Sequence, residues 1–568
     1  MKWPGQPEAS ADSKIPTIVA YQKGEAKYFG AEAREFLEDE DYEIARWFKL
    51  RLHPDSMKLD RATKSLETPP LPPGVSLVQV YSDFIRYIYR VAKRFFVNNT
   101  PSGQQMWNRL GNQIPIVFCT PNGWDIRQHA VLTDASIRAG IVTEGDADDR
   151  LWFLTEGEAS VHYSLAHTQT ISWLNKGTLF AVMDVGGSTV DSTLYRCRSR
   201  SPLILEEVCA SACVQAGGIF IDRGIREVLE RRLNGSEYSD PESISLMIHQ
   251  FEQKTKRAFD GSQTVNVIQF GSTKDNDEEH GIIKGKLTLS CEEVEEAYLA
   301  VIFSIADSCN TLLANYMYLI LVGGFGESPY LRGQLRRILG ERGTEVVTVE
   351  EPSYVLFSLF KEMLTLLIRK KAAADGAVLW YLTELVEGRA SRFDYGVLNG
   401  VIYDANVHVG YEDKCYIQQD GSKRIWTFEI LIPKDTIFND QWKRSLSSQI
   451  LLFESAELSS QGTISIGLFS WRGNGPTPYI LDPIQRAYCY RPASIAGLEE
   501  FALFKADKRI FLKSAKVSRS SKTGAPCWIV RYQLELSFKN LKLRAKMRWS
   551  EKGVERAGPA SIIPITQL

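Results

Sequence analysis

Hydrophobic and polar positions follow two different patterns along the chain. Up to about residue 392, short apolar runs alternate with stretches whose apolar residues recur at helical spacing, which predicts mixed strands and helices. From about residue 393 the helical period largely stops, and short alternating runs take over at 425–432, 449–453 and 463–469. The clearest alternation spans 541–549, where one face is apolar and the other cationic. We therefore predict an α/β part followed by an all-β domain.

The α/β part begins with recognisable elements. A strand is predicted over 14–21, and a helix over 42–52 carries the lone Lys49 among apolar residues. A second strand over 114–119 ends in a TPNG turn, and a helix over 124–139 follows it. The pattern predicts a strand-turn-helix unit.

Length, charge and composition exclude several classes of protein. The chain of 568 residues is longer than one hydrophobic core usually supports, so two or three domains are expected. A formal net charge of -2 and the lack of a dense lysine and arginine block argue against nucleic-acid partners. Because no run of about twenty apolar residues exists and the opening residues have no apolar core, we expect no membrane partner and a cytoplasmic or nuclear location.

The segment 179–194, LFAVMDVGGSTVDSTL, carries the most informative chemistry. An apolar strand ends at Asp184, which can hold a hydrated Mg²⁺ beside phosphates. The turn that follows, and the second acid behind it, are Gly186, Gly187, Ser188, Thr189 and Asp191. Glycines let backbone N–H groups approach an anion closely. An ordinary Gly-Gly hairpin is the alternative, but two aspartates around the turn are more than a hairpin requires.

Two further glycine pairs precede helices. Gly323 and Gly324 follow the apolar run 319–322, and a helix is predicted from Pro329, so their amides are placed to meet a nucleoside or phosphate. A dinucleotide-binding fold also uses strand, glycine turn and helix, but its acidic residue and βαβ context do not follow here. The pair Gly217-Gly218 precedes another amphipathic helix and by itself could be a helix entry.

The order of these features is more specific than any one of them. Along the chain come the Thr120-Pro121 strand end, Glu156, the Asp184 hairpin, Gly217-Gly218, the Lys256-Arg257 helix and the Gly323-Gly324 turn. This succession resembles the ATPase domain of the DnaK-type 70-kDa heat-shock chaperones over 14–392. It is most similar to the divergent subfamily 12, whose fungal members look similar down to WPGQ near the start. The resemblance implies an α/β actin-like ATPase fold of two ribonuclease-H-like lobes, with ATP or ADP and Mg²⁺ as cofactors.

The resemblance also implies roles on the phosphate side of the site. Asp184 would lie near the metal, Thr189 on the phosphates, and Asp191 would support the hairpin. Gly217 and Gly218 match the family's phosphate-side glycines.

Catalytic and nucleoside-side roles follow in the same way. Lys49 matches the catalytic lysine, and Glu156 matches the carboxylate near the attacking water. Lys256 matches a lysine that stacks on the adenine, and the segment from Gly323 to Glu327 matches the adenosine turn.

Several departures from the family pattern change the expectation. The family's arginine after the adenosine glycines is Glu327 here, which removes a guanidinium that would stack on the base. The ribose-side acid is replaced by Gln253, so we expect weaker nucleotide affinity. The family's first phosphate loop has no counterpart upstream of Trp3, and we therefore expect very slow ATP hydrolysis or none. We also expect an insertion at 353–369, in a connection that is normally short.

These features divide the chain into three predicted regions. The first lobe would span 1–175, the second lobe with its returning helix 176–392, and a degenerate substrate-binding domain 393–568. The expected function is that of an ATP-binding, chaperone-like protein whose lobe closure acts on a domain that binds unfolded or partner polypeptides. The alternative is a catalytically inactive actin-fold scaffold that acts through protein–protein interaction. A small-molecule kinase of the same superfamily would have no reason to carry the β-rich tail.

Overall fold

The computed structural model describes most of the chain in separate stretches. These are residues 3–6, 14–54, 68–167, 173–312, 316–348, 372–383, 385–418, 421–439, 441–453, 463–473, 475–481, 483–486, 489–492, 495–507, 516–519, 524, 526–539, 542–551 and 554–564. The predicted insertion at 353–369 lies outside them. The described residues form two compact units. Unit 1 comprises Met1–Trp124, Leu132–Glu207 and Ser211–Glu387, and unit 2 comprises Asp125–Val131, Val208–Ala210 and Gly388–Leu568.

Unit 1 combines several small sheets with helices. Its strands are β1 Ile18–Gln22, β2 Glu25–Phe29, β3 Glu43–Arg46, β4 Ile116–Thr120, β5 Leu151–Thr155, β6 Leu179–Val185, β7 Val190–Arg200, β8 Leu203–Glu207, β9 Ala212–Val214, β10 Val265–Gln269, β11 Ile282–Ile283, β12 Lys286–Ser290, β13 Tyr318–Val322 and β14 Glu345–Thr348. The described helices of the chain are α1 Phe48–Arg51, α2 Leu77–Asn99, α3 Gly103–Leu110, α4 Ile126–Arg138, α5 Ala147–Arg150, α6 Glu156–His167, α7 Ile219–Arg232, α8 Pro241–Gln250, α9 Lys256–Ala258, α10 Cys291–Thr311, α11 Pro329–Gly340 and α12 Ala372–Thr383. This confirms a mixed α/β architecture, whereas the two-lobe arrangement stays a prediction.

One sheet of unit 1 positions the acidic residues. Its neighbouring strands run in the order β14, β13, β6, β7, β8, and β9 pairs with β7. β13 is parallel to β6, whereas β6 and β7 form an antiparallel hairpin in which Asp184 pairs with Asp191. Helix α6 contributes Val161 and Tyr163 to a buried cluster with residues of β6 and β13. The apolar strand residues therefore form a core, and the polar positions fall at the strand ends.

The other sheets of unit 1 are smaller. They are the antiparallel β2-β1-β3 sheet, the parallel β4-β5 pair and the antiparallel β10-β12-β11 sheet. Within the described residues, no helix combines the length and apolar composition that crossing a bilayer requires.

Helix starts follow recognisable sequence signals. Ser290 and Glu293 form a capping box at the start of α10, with Ser290 N donating to Glu293 Oε2 at 2.8 Å and Glu293 N to Ser290 Oγ at 3.2 Å. Asp240 caps α8 just before Pro241, whose missing N–H costs nothing in the first helical turn. The side-chain oxygens of these capping residues accept hydrogen bonds from first-turn amides that have no acceptor inside the helix.

The prediction of one helix over 42–52 is wrong. Residues 43–46 instead form β3, paired in register with β1, and only Phe48–Arg51 is helical. Trp47 links the two elements with a left-handed φ of 54°. The apolar spacing fits a helix locally, but pairing with β1 satisfies the backbone N–H and C=O groups of this segment.

Unit 2 is built mainly from antiparallel strands. The strands from 386 onward are β15 Val386–Ala390, β16 Asp394–Ile402, β17 Cys415–Ile417, β18 Lys423–Ile432, β19 Ile437–Phe438, β20 Lys443–Phe453, β21 Thr463–Trp471, β22 Ile480–Leu481, β23 Pro483–Arg486, β24 Cys489–Pro492, β25 Leu498–Asp507, β26 Lys516–Arg519, β27 Pro526–Lys539, β28 Lys542–Glu551 and β29 Val554–Pro564. The principal sheet runs β17-β18-β16-β21-β25-β29-β28-β27-β20. Strands occur at each alternating run that the sequence indicated. The domain boundaries 175 and 392 stay predictions.

A buried ion network holds a distant segment within unit 2. Arg472 is 3% exposed at its side chain, pairs with Asp125, and lies 3.2 Å from Glu499 through its Nε. Arg127 lies 2.8 Å from Glu499. Burial would raise the pKa of the Asp125 carboxyl, but Arg472 and Arg127 outweigh it and hold that pKa below its usual value. The network joins residues more than three hundred positions apart in the sequence.

Candidate functional site

The hairpin between β6 and β7 presents an open turn. Gly186 N donates to the carbonyl of Thr189 at 2.9 Å and closes the turn, while Thr189 itself is buried. A Cβ at Gly187 would meet nothing within 4 Å. In the described part of the chain, the amides of Gly187 and Ser188 donate to no protein acceptor. Open amides on a glycine turn are suited to binding an anion.

Two aspartates flank this turn and are buried. Ser160 of α6 donates to Asp184 Oδ2 at 2.6 Å. Burial, followed by the charge of Glu156, raises the pKa of Asp184 to about 6. The same two causes raise the pKa of Asp191. Both carboxyls therefore hold their protons more tightly than they would in water, chiefly because they are buried.

The lysine and glutamate that the sequence singled out form a direct ion pair. Lys49 Nζ lies 2.9 Å from Glu156 Oε1. Glu156 is the first residue of α6, where the helix dipole favours a carboxylate. Burial acts to lower the pKa of Lys49, but the charge and hydrogen bond of Glu156 outweigh it and hold that pKa above its usual value. The charge of Asp191 also acts to raise the pKa of Lys49, so the pair is within electrostatic reach of that aspartate.

Asn122 connects the elements around the acidic cluster, and sequence reasoning assigned it no role. Its backbone N donates to Asp191 Oδ1 at 2.5 Å, and its side-chain amide donates to Thr193 Oγ1 at 3.0 Å. Its Oδ1 accepts from Gly157 N at 3.2 Å. The side chain is fully buried, so its polar atoms depend on these partners. The one available sequence signal was its place in the turn after β4.

Gly217 and Gly218 pack directly against the hairpin turn. Gly217 N donates to the carbonyl of Ser188 at 3.3 Å, and Gly218 N to that of Gly186 at 3.1 Å. A Cβ at Gly217 would lie 2.5 Å from both Gly187 C and Ser188 N. Since these amides bond to the hairpin, the pair supports the shape of the turn rather than offering donors to a ligand.

The Gly323-Gly324 turn meets the same hairpin. Gly323 has a left-handed φ of 89°, and a Cβ there would collide with the Asp184 carboxylate and the Val185 carbonyl. Gly324 is exposed. Ser328 then caps α11, which begins at Pro329 as predicted. The structure thus brings together at Asp184 two glycine turns that are far apart in the sequence.

Lys256 lies beside Gly218 but is paired. Its Nζ lies 2.7 Å from both oxygens of Asp222, a residue that sequence reasoning did not single out. A Cβ at Gly218 would lie 3.5 Å from Lys256 Nζ and 3.4 Å from Phe325. Burial raises the pKa of Asp222 to about 6, although Lys256 acts to lower it. The rings of Tyr298 and Phe325 are in contact, and the Tyr298 hydroxyl donates to the backbone carbonyl of Lys256 at 3.0 Å.

Gln253 and Glu327 are placed differently from one another. Gln253 is exposed within the π-helical turn Phe251–Thr255, three residues before Lys256. Glu327 is half-buried and ends the 3₁₀ turn that follows the two glycines. Glu327 therefore lies in the turn as the sequence indicated, whereas the side chain of Gln253 faces solvent.

The donor set fits a magnesium ion that is held mainly through water and phosphate. Within the described residues, no group of three or more histidine, cysteine, aspartate or glutamate side chains could hold a metal directly. Mg²⁺ normally needs only one or two carboxylates, because it keeps several waters and binds substrate phosphates. The pKa of Asp184 is raised chiefly by burial and then by the charge of Glu156, and a divalent cation beside the carboxylate would act to lower it.

Together, the open turn, the buried aspartates and the lysine–glutamate pair have the chemistry of a site for a phosphate-bearing ligand. No protein-family model matches the chain. The chain is 21% identical over 443 residues to human heat shock 70 kDa protein 12B. The aligned region covers 61% of this chain and 62% of that relative. The chain thus matches less than two-thirds of the relative's length. The similarity supports a distant relationship to the 70-kDa heat-shock proteins, while subfamily and fungal origin stay predictions.

Proposed function

We propose that the chain binds ATP or ADP with Mg²⁺ at the cluster around Asp184. The observation that carries the proposal is the meeting of the two glycine turns at the Asp184 carboxylate, where a Cβ on Gly323 would collide with it. The phosphates would lie at the Gly187 and Ser188 amides, and the nucleoside would lie toward the Gly323 turn and Lys256. The similarity to a 70-kDa heat-shock protein supports the nucleotide as the ligand.

Each residue has a physical role in this proposal. Mg²⁺, when bound, would supply positive charge that offsets the phosphates, and Asp184 would orient it through its water shell. The open amides of the hairpin would bind phosphate oxygens. Asp191 accepts a hydrogen bond from the backbone N of Asn122 and so joins the hairpin to the turn after β4. Glu156 can accept a proton from a water near the phosphates, and Lys49 fixes the position of that carboxylate.

Titration of Mg-ATP against an Asp184→Asn variant tests the proposal. We expect at least about a tenfold loss of affinity, because removing one group that orients a metal typically costs 10- to 100-fold. The control is Asp307→Asn, which changes an exposed aspartate on α10. Thermal melts of both variants establish that they are folded. Equal affinity of wild type and Asp184→Asn would reject the assignment, and phosphate release by the wild type measures any hydrolysis. A folded wild type that binds no nucleotide would favour the scaffold alternative.

We propose further that unit 2 binds extended, apolar polypeptide segments under control of the nucleotide. The similarity to a heat-shock protein suggests such partners. The end of β16 and its connection to β17 also expose apolar side chains, with Ile402 at 63%, Val407 at 64% and Val409 at 69%. Apolar residues grouped at one exposed connection are a common feature of interaction sites.

A labelled apolar peptide tests this second part of the proposal. The double variant Val407→Ser/Val409→Ser should lower peptide affinity by roughly tenfold, since each valine buries apolar area in the complex. Val517→Ser is the matched control, because Val517 is 66% exposed on β26 of the same unit. Fluorescence anisotropy with and without Mg-ATP measures the effect. Equal loss in the control would show that the two valines do not form the binding site.

A further inference from the structure

Lys14 reaches the site from a segment for which no chemical role was predicted. It is an exposed residue four positions before β1 begins at Ile18. Its Nζ lies 3.7 Å from the point that a Cβ on Gly324 would occupy. Lys14 also acts on Asp184, where its charge lowers the pKa of the carboxyl, as does that of Lys49. The ammonium group therefore lies at the Gly323-Gly324 turn and within electrostatic reach of Asp184.

The acidic side chains around the site mean that binding a phosphate there requires positive charge beyond that of Lys49. Three carboxylates interact here, those of Glu156, Asp184 and Asp191. Lys49 is within hydrogen-bond distance of Glu156, so its charge largely offsets that one acid. A phosphate at the hairpin turn would meet repulsion from the two aspartates. Lys14 supplies positive charge on the side of the Gly324 turn.

We propose that Lys14 is a phosphate-binding residue for a nucleoside polyphosphate held at the two glycine turns. The inference rests on the proposed nucleotide function and adds a contact to it. A lysine ammonium is a compact point charge on a flexible stem, so it can follow a phosphate without a fixed geometry. Arginine at the same position keeps the charge and should retain most of the binding.

Mg-ATP titrations of the full chain test the role of Lys14. Wild type is compared with Lys14→Ala, Lys14→Arg and the control Lys27→Ala, which removes an exposed lysine of β2 paired with Glu25. We expect Lys14→Ala to bind about tenfold more weakly at low salt, with a smaller deficit at about 0.5 M salt, because screening weakens exposed charge interactions. Lys14→Arg and Lys27→Ala should stay within about threefold of wild type.

The outcomes separate this inference from the function on which it rests. Wild-type binding with an unchanged Lys14→Ala affinity would overturn the role of Lys14 and leave the nucleotide site standing. An equal loss in the alanine and arginine variants would show that the positive charge is not what matters, and would overturn it too. A wild type that binds no Mg-ATP would overturn the proposed function and, with it, this contact. Thermal melts of each variant confirm that affinities are compared between folded proteins.

Discussion

Replacing Gly217 with alanine should destabilise unit 1 and remove nucleotide binding together. The new Cβ would lie 2.5 Å from Gly187 C and Ser188 N and 2.6 Å from Gly187 O. All three atoms belong to the backbone, so no side chain can turn away to relieve the overlap. Overpacking of this kind costs about 1–3 kcal/mol and occasionally more, and we expect the upper end of that range. A thermal melt measures the loss of stability, and Mg-ATP titration the loss of binding.

Neighbouring glycines provide matched controls for this substitution. Alanine at Gly218 would bring its Cβ to 3.4 Å from Phe325, an ordinary contact, and alanine at Gly187 would enter open space. The free energy of unfolding of both variants should lie within about 1 kcal/mol of the wild-type value, because neither new Cβ overlaps the backbone. If Gly217→Ala has the same melting temperature as these controls, the close approach of Gly217 to the hairpin turn at Gly187 and Ser188 is not a feature of the folded protein.

Features written into short stretches of sequence could be predicted. The strand that carries Asp184, its glycine turn and the returning strand are contiguous, so the apolar run and the Gly186-Gly187 pair locate the hairpin without tertiary information. The helix beginning at Pro329 was predictable for the same reason. The strand predicted over 14–21 begins later in the structure than the prediction, because its pairing with β3 starts only at Ile18.

Residues that act through distant partners could not be predicted. Ser160 donates to Asp184 only because α6 packs beside β6, and nothing in the local sequence around Ser160 indicates this. Asp222 likewise contacts Lys256 across 34 positions. Arg472 pairs with Asp125 within unit 2, and such long-range pairs leave no periodic signal.

The error over 42–52 has the same cause. Helical spacing of its apolar residues is a local property, whereas β3 exists because β1 provides a partner for its backbone. Tertiary hydrogen bonding outweighed a weak local preference, since differences in helix propensity are usually below about 1 kcal/mol per residue.

Replacing Asn122 with alanine should cost about 3 kcal/mol of unfolding free energy, because it leaves the Gly157 amide and the Thr193 hydroxyl buried with one partner fewer. Each buried polar group left unsatisfied typically costs about 1–3 kcal/mol. The loss should be the same from pH 5 to pH 8, since neither asparagine nor alanine titrates. Chemical denaturation at several pH values measures it.

Asn122→Asp separates the effect of charge from that of hydrogen bonding. The aspartate can still accept from Gly157 N, but it adds a buried carboxyl beside Asp191, so burial and like charge should raise its folded pKa above the unfolded value. An acid whose pKa is raised on folding binds its proton more tightly in the folded state, and stability then falls as pH rises. Asn122→Asp should therefore be close to wild type near pH 5 and markedly less stable at pH 8. The matched control is Asn276→Asp, which accepts a backbone N–H from Lys284 at an exposed position where its charge stays solvated. Its difference in stability from wild type should not change with pH. A difference in stability between Asn122→Asp and wild type that stays constant from pH 5 to pH 8 would mean that position 122 is not coupled to the buried carboxylates. It would remove Asn122 from the set of residues that hold the site together.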